Sequence, residues 1–145
     1  MLKNGITFEE SGNFLKWGVF INPLIQKYNG SKENLGDRTA YNWGKQTILN
    51  GLELELTTCF WNFGFQRWFR RFTEIEYSAI GDTIAEEEFK RISSHLIELF
   101  GPPRNTEVEI NDPEKFLTWE IDKIEFSLYY FQQHCFHLNF TIKKK

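Results

Sequence analysis

The chain is expected to fold as an α+β protein, a curved antiparallel sheet of about six to eight strands carrying one long and one short helix on one face. Three observations lead there. From residue 117 to 142 large apolar side chains fall on every second position, the period of a half-buried strand. From residue 83 to 100 they recur at spacings of four, three, four and three, the period of a helix. Aromatic residues make up 17% of the chain, with 15 Phe and a single Met, so rigid rings that suit a pleated surface must fill the core.

Taken along the chain, residues 6–10 and 14–20 pair around Ser11 and Gly12. Asn22 followed by Pro23 starts a short helix that runs through Tyr28 and stops at Asn29 and Gly30. Asn50 and Gly51 make a two-residue hairpin turn between a strand ending at Leu49 and one holding Leu52, Leu54 and Leu56, which leaves Glu53 and Glu55 facing away from the core. A strand over residues 73–79 directs Ile75 and Tyr77 inward and Glu74 and Glu76 outward. The long helix carries Ala85, Phe89, Ile92, Leu96 and Leu99 on one stripe. Thr83 and Glu86 stand in capping-box spacing at its start, and Gly101, Pro102 and Pro103 stop it.

The last three strands can be set in register by parity. Asp122 and Lys123 form a two-residue turn that opposes Ile121 to Ile124 and Trp119 to Phe126. A loop over Gln132, Gln133 and His134 then sets Tyr130 opposite Phe136 and Leu128 opposite Leu138. Only an odd loop length keeps the large apolar residues of all three strands on one side.

With 145 residues the chain has the size of one domain, 1–145. The formal charge of −3 disfavours nucleic acid as a partner. No apolar run follows the early lysine and no apolar stretch approaches a membrane span, so a cytosolic protein without membrane contact is expected. Cys59 and Cys135 lie far apart and read as reduced thiols.

Chemistry-bearing patterns are few. His134, Cys135 and His137 offer zinc-type ligands, but a strand puts only Cys135 and His137 on one face, with no second pair nearby in sequence, so no metal is expected. His95 lies off the apolar stripe of the helix. Cys59 stands in no nucleophile motif, the ten glycines form no phosphate loop, and Glu86, Glu87 and Glu88 suit a helix N-terminus. Neither an enzyme nor a cofactor is expected.

Two candidate binding surfaces remain. The first is the outer sheet face, which gathers Glu53, Glu55, Glu74, Glu76, Glu120 and Glu125 with Tyr129, Phe131 and His137. Carboxylates around exposed rings fit a basic protein partner, and a plain solvated sheet face accounts for the same pattern. The second is the segment 60–72, FWNFGFQRWFRRF, where Arg67, Trp68, Arg70 and Arg71 could serve a small ligand or a single-stranded nucleic acid. Its structural alternative is an amphipathic turn of helix that buries Phe65, Trp68, Phe69 and Phe72 and leaves the arginines in water. As a strand it would put Phe65, Arg67, Phe69 and Arg71 on one face, a poor fit to a core.

The stretches beginning Leu24-Ile25 and Leu96-Ile97-Glu98-Leu99-Phe100-Gly101-Pro102 each lead through a polar loop to a tryptophan, Trp43 or Trp119, and a hairpin. They read as a degenerate tandem repeat or as two ordinary helix-to-hairpin units that happen to align. With the acidic sheet faces, this pattern resembles the immunity proteins of bacterial polymorphic toxin systems. The resemblance is spread over most of the chain and transfers no residue by position. It implies a small, non-enzymatic cytosolic protein that neutralises a cognate toxin, such as a basic nuclease, by covering its active site.

Overall fold

The computed structural model describes residues 2–64, 69–104 and 113–145. After a 3-10 turn at Leu2–Asn4 come β1 (Gly5–Phe8), β2 (Asn13–Lys16), α1 (Ile21–Lys27), β3 (Ser31–Asn34), β4 (Arg38–Ile48), β5 (Leu52–Trp61) and β6 (Glu74–Ile80). They are followed by α2 (Asp82–Phe100), β7 (Lys115–Ile121), β8 (Ile124–Gln133) and β9 (Cys135–Lys144). β1 and β2 form a separate hairpin, and the other seven strands form an open antiparallel sheet in the order β3-β4-β5-β6-β9-β8-β7. This is the α+β architecture the sequence predicts. Among the described residues no helix is long and apolar enough to cross a membrane. By their contacts the residues divide into two compact units, Met1–Ile75 with Lys144 and Glu76–Lys143 with Lys145.

In the first unit β1 and β2 pair Ile6 with Leu15 around Gly12, as expected, although the strands are shorter than the sequence reading allowed. Helix α1 begins one residue earlier than Asn22. Its N-cap is Phe20, which makes no side-chain cap bond, and the Asn22 side chain instead accepts from the Tyr41 hydroxyl at 2.9 Å. Gly30 lies so close to the Ile25 side chain and the Asn42 carbonyl that a Cβ would collide with both. The turn between β4 and β5 corrects the expected Asn50-Gly51 hairpin. Ile48, not Leu49, opposes Leu52, and Leu49, Asn50 and Gly51 all take positive φ. The cause is non-local: the Glu9 carboxylate accepts from the amides of Asn50 (2.7 Å) and Gly51 (2.9 Å), tying the three-residue loop to the β1–β2 hairpin.

Further along β4 the register shifts between Asn42 and Gly44, a bulge that admits Trp43 to the core. There its indole N–H donates to Thr58 Oγ1 at 3.0 Å, and the same hydroxyl donates to the Glu74 carbonyl at 2.8 Å. Trp17 stacks on Phe72 at 4.8 Å, and Trp43 meets Phe72 and Phe8 edge-on at 5.6 and 6.0 Å. These four buried rings form the aromatic centre of the unit.

In the second unit α2 begins at Asp82 with Gly81 as N-cap, and no side-chain cap bond is made. The expected Thr83–Glu86 box is therefore not used. Asp82 serves elsewhere, its carboxylate accepting from the Phe136 amide at 2.8 Å. Ala85, Phe89, Ile92 and Leu96 are buried, Leu99 only partly, and Gly101 at φ 84° ends the helix as expected. Asp122 and Lys123 both take positive φ in a two-residue turn, and the pairings Ile121–Ile124, Trp119–Phe126 and Leu117–Leu128 match the parity reading. β8 and β9 are joined through His134 alone, shorter than the expected loop. Tyr130 and Phe136 stack at 4.8 Å with planes 5° apart. Trp43 lies on β4 and Trp119 on β7, each the first strand of a long antiparallel hairpin, β4–β5 and β7–β8, while residues 105–112 between α2 and β7 lie outside the described residues.

Candidate functional site

Strand parity in the second unit sends Leu117, Trp119, Ile124, Phe126, Leu128 and Tyr130 to the buried side, where Phe89 and Phe100 of α2 contact Tyr130 (5.4 Å) and Phe126 (4.9 Å). The opposite parity presents a row of rings. Phe116 and Tyr129 are direct cross-strand partners and meet edge-to-face at 5.6 Å. Tyr129 stacks on Phe131 at 4.6 Å, and Phe131 stacks on His137 at 5.1 Å. Phe116 is 47% exposed and Tyr129 37%. His137 Nε2 lies 3.0 Å from the Gln133 carbonyl and 3.9 Å from Cys135 Sγ, which orients the ring at the end of the row.

The structure thus brings together three of the residues expected on the outer face, Tyr129, Phe131 and His137, and adds Phe116. That residue was missed because the strand begins at Lys115, two residues before the first position of the apolar alternation. Its signal was an apolar ring on the polar parity of Thr118 and Glu120.

The carboxylates behave differently from the rings. Glu120 and Glu125 oppose each other directly on β7 and β8, and Lys145 bridges them at 3.0 and 3.3 Å. Arg104 adds a second ion pair to Glu120 at 2.6 Å. The hydrogen bond and charge of Lys145, followed by the charge of Arg104, hold the Glu120 carboxyl below the ordinary range, and its bonds to the two glutamates raise Lys145. Glu76 is half-buried on β6.

In the first unit Glu53 pairs with Lys45 at 2.9 Å, a bond that raises the lysine. Glu55 faces solvent on the same strand, and Glu74 is half-buried at the start of β6. The expected surface is therefore not a field of uncompensated negative charge. Three of its six glutamates are matched by cations of the same chain, and exposed pairs of this kind are individually weak.

Of the alternative residues, Arg67 and Trp68 lie outside the described residues, as does Phe65. The remainder corrects the amphipathic-helix expectation. Residues 70–72 run extended along residues 18–21, with the Ile21 amide donating to the Arg70 carbonyl and the Phe72 amide to that of Val19. Alternation in an extended chain turns Arg70 and Phe72 inward and Phe69 and Arg71 outward. Phe69 is consequently 68% exposed. Arg71 lies over the Phe20 ring and donates to the Gly18 carbonyl at 2.8 Å. Arg70 is only 8% exposed and lies against Phe60, Tyr41 and Asn62, so the two arginines serve different places.

Among the described residues no group of three or more His, Cys, Asp or Glu side chains comes together as a metal site. Comparison with protein-family models, with curated proteins and with solved structures finds no match.

Proposed function

We propose that the chain is a non-enzymatic protein-binding domain that uses the row Phe116, Tyr129, Phe131 and His137 as its contact surface. The observation that carries this is a contiguous set of rings on the solvent side of a sheet whose opposite side already holds the core. Rings exposed singly are ordinary, whereas rings that touch one another over three strands form an apolar patch of the kind that anchors partners. Both faces of Phe131 are covered by Tyr129 and His137, which leaves the exposed Phe116 ring and Tyr129 for the partner. The net charge of −3 favours a basic partner by steering the encounter, with the rings supplying the contact energy. A bacterial, cytoplasmic immunity protein that covers a basic toxin domain such as a nuclease fits this chemistry.

Affinity capture in the encoding organism tests the proposal. The wild-type chain is expected to recover one protein in stoichiometric amount, and Tyr129→Ala with Phe131→Ala to lose it while remaining folded by circular dichroism. Recovery of RNA or a metabolite alone, or equal recovery by the variant, would sink it.

A further inference from the structure

We infer that Arg70 is the anchor of an oxyanion-binding site in the first unit, built for a phosphate or carboxylate group that none of the described residues supplies. Arg70 is nine-tenths buried, yet the acceptors it meets among the described residues, Asn62 and Tyr41, are neutral. Its Nη2 donates to Asn62 Oδ1 at 2.7 Å, its Nη1 reaches the Tyr41 hydroxyl at a long 3.4 Å, and its guanidinium lies 5.4 Å from the centre of the Phe60 ring. Nε has no hydrogen-bond partner among the described residues and is shielded from solvent.

A buried cation without an anion is costly and is ordinarily matched by a carboxylate. Residues 60–72 contain no Asp or Glu at all. Lys32, which lies over the Tyr41 ring, adds positive charge to the neighbourhood.

The surroundings are arranged to hold the guanidinium rather than to neutralise it. Asn62 Oδ1 also accepts from Thr39 Oγ1 at 2.6 Å, and its amide nitrogen donates to Asn34 Oδ1 and to the Gly36 carbonyl. Tyr41 is fixed by its bond to Asn22. With Asn62 and Tyr41 pinned in this way, the Nε edge is the one left for a ligand. A guanidinium edge of Nε and one Nη matches two oxygens of a phosphate or carboxylate.

The test follows the Arg70 Nε–Hε resonance by NMR while the full chain is titrated with inorganic phosphate, with acetate, and with chloride at matched ionic strength. The inference expects a saturable shift with phosphate or acetate and none with chloride, accompanied by a melting temperature raised by a few degrees once the anion is about ten-fold above its Kd. Whether phosphate or acetate gives the response identifies the oxyanion class. Arg70→Lys, which keeps the charge and loses the fork, should abolish the rise in melting temperature, and Arg71→Lys should keep it. Equal responses to chloride and the oxyanions, or a full response in Arg70→Lys, would overturn the inference. The resonance shift needs no variant and stands if Arg70→Lys fails to fold.

Discussion

Both units build four aromatic side chains into a connected group, and they place it on opposite sides of their sheets' logic. In the first unit Phe8, Trp43, Phe72 and Trp17 are all buried, and both indoles are satisfied, Trp43 by Thr58 and Trp17 by the Leu2 carbonyl at 2.8 Å. In the second unit Phe116, Tyr129, Phe131 and His137 form a chain of contacts as close as those of the core, but on the solvent side. The buried group is accounted for by folding alone, since its removal from water is the dominant stabilising term. The exposed group gains only the modest energy of cross-strand pairs, so stability does not explain its presence.

That difference can be broken by substitution. Phe72→Ala removes a fully buried ring that touches both tryptophans, and should lower the unfolding free energy by about 3 to 5 kcal/mol in denaturant titration. A loss below about 1 kcal/mol would remove the ring from the core. Thr58→Val keeps the shape but leaves the Trp43 N–H buried without an acceptor, for an expected cost of about 1 to 3 kcal/mol. On the exposed row, Tyr129→Ala or Phe131→Ala should cost no more than about 1 kcal/mol each. A core-sized loss there would make the row structural and erase the contrast.

The smallest effect concerns charge. Lys145→Gln should let the Glu120 carboxyl rise toward its ordinary value, read by NMR titration of the side chain. Because Glu120 is lowered on folding, its contribution is present above the unfolded carboxylate pKa and fades as pH falls through the lowered folded value. Lys145 is raised, so its contribution is present below the unfolded lysine pKa and fades as pH rises through the raised one. Wild type and variant should thus differ in stability between those limits and converge at both ends. A Glu120 titration unchanged by Lys145→Gln would show that the bridge does not form in solution.

How much of this was legible in the sequence depended on how local the cause was. The β7–β8 register was readable because side-chain parity and a two-residue turn are properties of neighbouring residues. The β4–β5 loop was misread by one residue because Glu9, forty-one positions from Asn50, holds it. β3 was invisible, since Ser31, Lys32, Glu33 and Asn34 are all exposed on an edge strand and show no alternation. Tyr129, Phe131 and His137 were found by parity, whereas the ion pairs that match Glu120 and Glu125 depend on Arg104 and Lys145 from distant positions. The burial of Arg70 was hidden because an arginine in a basic run reads as solvated, and only its pairing with residues 18–21 turns it inward.

The most direct test of the contact surface is the dissociation constant of the captured partner, measured by calorimetry at fixed salt for wild type and for Tyr129→Ala with Phe131→Ala. The ring row predicts a loss on the order of 100-fold with the fold intact, and a smaller loss for Glu125→Lys, whose charge is already matched by Lys145. A change under about three-fold in the ring variant would contradict the assignment of this face.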